Sequence, residues 1–201
     1  MALVQKRARK RRMDVFIRAM GLTPNTRILD LGGQPQMWEH VEMPLDITIL
    51  NLAGIAKTDV GGFQHRIRYV EGDACDVSQF TRTDFDLIYS NSVIEHVGPE
   101  DRQDAFASEV RRLGTRYWVQ TPSKWFPIEA HCGMPLWWFY PEGVRQTFLE
   151  RWRKKLPAWT EMVEGTRVLT LDRVRALFPG SSVYTEWAFG FPKSYAMYSN
   201  D

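Results

Sequence analysis

The sequence predicts an α/β fold in which a largely parallel sheet is covered by crossover helices. From residue 27 to residue 120, short apolar runs alternate with helical stretches that keep a polar face. Several of those runs end in Gly, Asp, Asn or Ser, the residue types that meet ligands at the carboxyl ends of parallel strands. The composition, 44% hydrophobic and 25% charged over 201 residues, is that of one globular domain with enough chain to bury a core unaided.

The elements follow in order. Residues 27–31 form a first strand, 47–51 a second, 67–71 a third, 85–89 a fourth and 116–120 a fifth. Between the last two lies a helix, because Ala105, Phe106, Val110 and Leu113 recur near a period of 3.6. Pro99 suits its start and Gly114 its stop. The stretch 122–141 is dense in Pro, Trp and Phe and reads as an insert or lid, placed at about 122–160 as a whole. A helix is expected over about 141–155 and another over 171–178 capped by Thr170, followed by strands at 183–189 and 195–198. The organisation expected is a basic arm and N-terminal helix over 1–26, then one domain over 27–201.

Several classes are set aside. Cys75 and Cys132 supply neither a disulfide framework nor zinc-ligand spacing, and no run approaches the ~18 apolar residues of a membrane span. The N-terminus lacks the apolar core of a secretory signal, so a cytoplasmic location is expected. Of 26 basic residues, six (Lys6, Arg7, Arg9, Lys10, Arg11, Arg12) stand together, leaving 20 against 24 acids in the remainder. Such an arm can meet phosphates, but no aromatic residue interleaves with it to stack bases. A solvated first helical turn is therefore the expectation, and nucleic acid is not the favoured partner. A second basic run at 151–155, beside Trp159, reads as the last turn of a helix, where the dipole favours cations.

The chemistry gathers at the strand ends. Asp30 precedes the paired Gly32 and Gly33, where glycine lets backbone approach a ligand. The third glycine of a dinucleotide fingerprint is missing, which disfavours a nicotinamide oxidoreductase, and Asp30 would repel pyrophosphate yet accept from an ammonium group. Asn51 ends the second strand near the spacing of a ribose-binding side chain, Asp73 and Ala74 follow the third, and Ser90, Asn91 and Ser92 follow the fourth.

These residues resemble the class I S-adenosylmethionine-dependent methyltransferase family over about 27–120, and more weakly to the C-terminus. The resemblance implies a Rossmann-like, seven-stranded, mostly parallel sheet with helices on both faces and an antiparallel last strand. It implies S-adenosylmethionine as cofactor, with Asp30, Gly32 and Gly33 at its amino acid moiety and Asn51 at the ribose. Asp73 and the Ala74 amide would take the adenine, and Ser90 would lie beside the sulfonium. Two residues depart from the pattern: Gln34 replaces a glycine and Asn51 an acid. A neutral amide still bonds hydroxyls, more weakly than a carboxylate.

Methyl transfer needs an aligned acceptor and, for a hydroxyl, a base. His96 follows the fourth strand and is a candidate, with Glu129 and His131 in the insert as base and orienter. Trp125, Phe126, Trp137 and Trp138 would wall out water, and His40 and His65 read as surface residues. No metal site is expected, since acids and histidines do not gather beyond that pair. The expected activity is methylation of a small or medium-sized acceptor, at oxygen. The alternative is a cofactor-binding, non-catalytic scaffold whose arm binds nucleic acid or a protein.

Overall fold

In a computed structural model, which describes residues 2–55, 64–114 and 116–200 and side chains from residue 9 onward, seven strands form one sheet. They are β1 (Arg27–Leu31), β2 (Asp46–Asn51), β3 (Arg66–Glu71), β4 (Leu87–Asn91), β5 (Tyr117–Pro122), β6 (Ser182–Ala188) and β7 (Phe191–Ser199), in the order β3-β2-β1-β4-β5-β7-β6. The first five run parallel, and β7 lies antiparallel to both β5 and β6. The seven-stranded expectation holds, antiparallel last strand included.

Alternation along the strands sends side chains to two cores. Ile28, Leu87, Tyr89 and Trp118 face a layer with Trp38 and with Met13, Phe16 and Met20 of helix α1 (Ala2–Met20). Leu29, Leu31, Ile88 and Val119 face the other, with Phe106 and Val110 of α2 (Glu100–Leu113). Two further helices of the C-terminal half, α3 (Glu142–Arg153) and α4 (Pro157–Gly165), cover the insert, and Val174 and Leu177 of α5 (Leu171–Leu177) join the α2 layer. Helices thus lie on both faces. Among the described residues no helix is long and apolar enough to cross a membrane.

The differences from expectation have local causes. β4 starts two residues late because Asp86 is held beside Arg27, its carboxylate accepting from the Arg27 amide at 2.8 Å. β7 begins at Phe191 instead of 195, since Pro192 sits where the β6–β7 register shifts and no ladder donor is needed. Phe189 and Gly190 both take positive φ, 52° and 80°, as a two-residue hairpin requires. α4 was absent from the expectation although Pro157 suits a first helical position. Thr170 caps α5 as expected, accepting from the Arg173 amide.

The basic arm is not wholly a solvated turn. Lys6 and Arg7 fall outside the described side chains, and Arg9 to Arg11 are exposed. Arg12, however, is turned inward, 3.3 Å from Glu186 and donating to Asn91 Oδ1 at 2.7 Å. It ties α1 to β4 and β6. In the second basic run, Arg151 and Arg153 do occupy the last turn of α3, and Arg153 pairs with Glu164 at 2.5 Å.

Candidate active site at the strand ends

Three cavities meet along the carboxyl edge of the parallel strands. The central one, about 270 Å³, is lined by Gly32, Asn51, Asp73, Ala74, Val93 and His96 among others. Gly32 also borders a cavity of about 340 Å³ that carries Arg9, Asp30, Gly33 and Asn91. His96 also borders one of about 430 Å³ whose other walls, Ala158, Glu161, Met162 and Gly165, belong to α4. A larger cavity of about 660 Å³ lies between Pro99–Gln103, α3 and residues 163–173, away from these strand ends.

The glycines answer to the protein before any ligand. A Cβ on Gly33 would stand 1.8 Å from Asp30 Oδ2, so only glycine leaves room for that carboxyl. Gly32 has φ +71° and would collide with Val93 at 2.6 Å. Asp30 itself is fully buried; Trp38 Nε1 donates to its Oδ2 at 2.8 Å, and Oδ1 has no partner among the described residues. Burial pushes its carboxyl up to about 7, against the pull of the Trp38 hydrogen bond. Trp38 and Arg9 are the residues of this end that sequence reasoning passed over. Trp38 lies in a short 3-10 turn whose only mark was Pro35 at its start, and Arg9 reaches the site from the far N-terminal helix.

The remaining predicted residues divide. Asn51 donates to the Gly33 carbonyl at 3.0 Å from its half-buried place on the central cavity, and Ala74 lines the same wall. Asp73 is there too, but its carboxylate already accepts from the Cys75 amide at 2.9 Å and pairs with Arg102. Burial, the largest single effect, pushes Asp73 upward, but these partners together outweigh it and hold the carboxyl below the ordinary range. Ser90 is fully buried, its hydroxyl donating to the Leu31 carbonyl at 3.1 Å, and it lines none of the three cavities. Ser92 takes its place on the wall, with φ +58°, anchored through its amide on Gln120.

On the other side of His96 the insert delivers a polar cluster, with Glu129 buried and His131 half-buried. His131 Nδ1 lies 2.7 Å from Glu129 Oε1, and Glu129 Oε2 accepts from the amides of His131 and Cys132, both at 2.6 Å. Burial opposes these bonds but is outweighed: Glu129 sits below its ordinary value and His131 above. The Nε2 atoms of His131 and His96 are 2.9 Å apart with their rings edge to face. Burial, helped by the charge of His131, lowers His96 to about 4. Glu95 completes the group. It is fully buried, accepts from Thr121 Oγ1 at 3.0 Å, and is pushed up to about 7 by burial. Ligand-type atoms of Glu95, His96 and His131 all lie within 4.8 Å of one another. The expectation that nothing further gathers at the Glu129–His131 pair is thereby corrected.

Two more corrections concern the insert. Trp137 and Trp138 line none of the three strand-end cavities; Trp137 packs with Leu149 and Val163 in a satellite core, Trp138 lies against it, and Trp125 is exposed beside Phe139. His65 is buried, Nε2 3.1 Å from the Trp38 carbonyl, instead of lying on the surface.

Comparison with known proteins bears on the fold. A family model described as "Methyltransferase domain" matches residues 39–115. Phosphoethanolamine N-methyltransferase 2 of Haemonchus contortus, solved with S-adenosyl-L-methionine, superposes with a TM-score of 0.57 at 11% identity over 94% of this chain and 52% of its own. This is the class I methyltransferase fold. Structures that share the fold also include the cyclopropane synthase MmaA2 of Mycobacterium tuberculosis, at TM-score 0.54, 16% identity and coverage of 86% and 60%. Magnesium protoporphyrin IX methyltransferase of Synechocystis, with bound S-adenosylhomocysteine, follows at 0.55, 13%, and 96% and 84%. The chain spans little more than half of the first-matched structures' own length. No curated protein matches the sequence.

Proposed function

We propose that the chain is an S-adenosylmethionine-dependent methyltransferase that methylates a small or medium-sized acceptor at oxygen. The observation that carries this reading is His96, which borders both the central strand-end cavity and the cavity under α4. The residues fit the cofactor. Asp30 Oδ1, buried and without a partner, suits an ammonium group, and Arg9 on the same cavity suits the carboxylate beside it. Asn51 would bond ribose hydroxyls. Asp73, still holding free lone pairs beyond its two partners, would with the Ala74 amide take the adenine edge.

Bound there, S-adenosylmethionine supplies a methyl group on a sulfonium, which passes in line to the acceptor while the bonding pair stays on sulfur. The chain's own part is alignment and handling of the acceptor's proton. His96 faces the acceptor cavity; His131, oriented by Glu129, backs it. The structural relatives carry N-, O- and carbon-directed names, so the choice of oxygen rests on this proton-handling cluster.

Calorimetry with S-adenosylhomocysteine tests the pocket: one molecule should bind per chain, with NAD giving no heat. Asp30→Ala and Asp73→Ala should each weaken that binding by about 1 to 3 kcal/mol. Unchanged affinity in both variants would reject this placement of the cofactor.

A further inference from the structure

Two imidazole nitrogens face each other, and when both rings are neutral their hydrogen bonds do not balance. His131 Nδ1, 2.7 Å from the Glu129 carboxylate, carries the ring hydrogen, so Nε2 presents a lone pair. His96 Nδ1 lies 3.4 Å from Thr166 Oγ1, whose own hydrogen goes to the Met162 carbonyl at 2.8 Å. That hydroxyl can only accept from His96, which leaves a lone pair on the second Nε2. The two Nε2 atoms stand 2.9 Å apart. Beside them the fully buried Glu95 brings a carboxylate oxygen within 4.8 Å of a nitrogen of each ring, and its Oε1 has no hydrogen-bond partner among the described residues. Three electron-rich groups therefore converge where a cation would be stabilised.

The geometry points to a divalent transition-metal site formed by Glu95, His96 and His131, with Glu129 holding His131 in the ligating tautomer. Two imidazoles and one carboxylate form a donor set for a zinc-like ion and leave a coordination position open. Ligands bonded at roughly 2.1 Å stand about 3.0 to 3.4 Å apart in octahedral or tetrahedral geometry. The observed 2.9 Å is close to that span, so a small opening of the rings suffices. Glu129, itself fixed by two backbone amides, is the outer carboxylate that ligating histidines commonly carry. Because His96 also borders the α4 cavity, the open position falls on the acceptor side. What the cation does there rests on the methyltransferase reading: it takes the acceptor oxygen and makes its proton easier to lose, in place of an imidazole base. The site itself does not depend on that reading.

The test uses the full chain stripped with chelator, then titrated with Zn²⁺ by calorimetry and with Co²⁺ by visible absorption. One cation per chain is expected, with Co²⁺ bands of a low-symmetry nitrogen and oxygen site. Glu95→Gln, His96→Ala and His131→Ala should each abolish the bands, Glu129→Gln should weaken binding about 10- to 100-fold, and His40→Ala should change nothing. S-adenosylhomocysteine is titrated into the same samples. No cation uptake with nucleoside binding intact overturns the metal site and spares the methyltransferase reading, as does uptake that survives His131→Ala. A proton shared between the rings is then the remaining account. Cation uptake without nucleoside binding upholds the site and rejects that reading instead. Should a variant fail to fold, the spectrum of the parent chain alone decides.

Discussion

On the proposed cofactor side of the site, Asp30, Gly32, Asn51 and Asp73 stand at or just past the ends of β1, β2 and β3, three hydrogen-bonded neighbours in register. On the proposed acceptor side, Glu95 and His96 follow β4, but Glu129 and His131 come from the insert and Thr166 from the segment after α4. The first group is positioned by the sheet ladder, which fixes each strand end relative to the next. The second is positioned by packing: the Arg167 amide donates to the Glu95 carbonyl at 2.7 Å, and Thr121 at the end of β5 holds the Glu95 side chain. A ladder tolerates change in one side chain without losing its geometry. A packed cluster does not, because each member orients the others.

Mutation should expose that contrast. The largest effect is expected on the acceptor side: His131→Ala should lower turnover about 10²- to 10⁴-fold, the usual worth of a proton-handling group, while leaving the affinity for S-adenosylhomocysteine within a factor of about two. Equal loss of both in steady-state kinetics and calorimetry would mean that the two sides are not separable. Next comes Gly33→Ala, which drives a methyl into the Asp30 carboxyl and should destabilise the fold by about 3 kcal/mol in denaturant titration. Adding Asp30→Ala should recover part of that loss, since the obstruction is removed. A double variant no more stable than Gly33→Ala alone would place the strain elsewhere.

Asp30 also gives a pH effect whose sign can be worked out. Its folded value, about 7, lies above the ordinary 3.8, so between those values the folded chain keeps a proton that the unfolded chain has lost. The stability this confers is complete below the ordinary value and is lost as pH rises through about 7. The parent's melting temperature should therefore fall relative to that of Asp30→Asn between pH 5 and pH 8. Affinity for a ligand ammonium should rise over the same interval and be flat in the variant. Parallel melting curves for the two proteins would show that Asp30 ionises normally. The smallest effect belongs to Trp125→Ala, expected within about 0.5 kcal/mol in stability and silent in turnover, because the ring is exposed and lines none of the three cavities.

Legibility follows the same division. Gly32, Gly33, Asn51, Asp73 and Ala74 could be read as a site because strand ends announce themselves locally, by an apolar run stopping at a small or polar residue. Gly33 has in addition a reason within the fold that the sequence did not show: it leaves room for the Asp30 carboxyl. Ser90 was misplaced for lack of the exact strand end. β4 runs two residues further than its apolar run suggests, which buries Ser90 and hands the cavity wall to Ser92. The Glu129–His131 contact was within reach because the two residues are two apart and share a turn.

The sequence by itself determined the α/β rhythm, the order of ligand-type residues along the sheet edge and the existence of an insert with its own polar pair. These depend on contacts between residues near in the chain or on a period of two or 3.6. Only the tertiary structure decided that Arg9 reaches the Asp30 cavity, that Trp38 occupies one Asp30 oxygen, that the tryptophans build a satellite core, and that Glu95 joins two histidines 35 residues apart. Such meetings arise when separate elements close over a shared core. No local pattern encodes them, because each partner alone is an ordinary polar or aromatic residue.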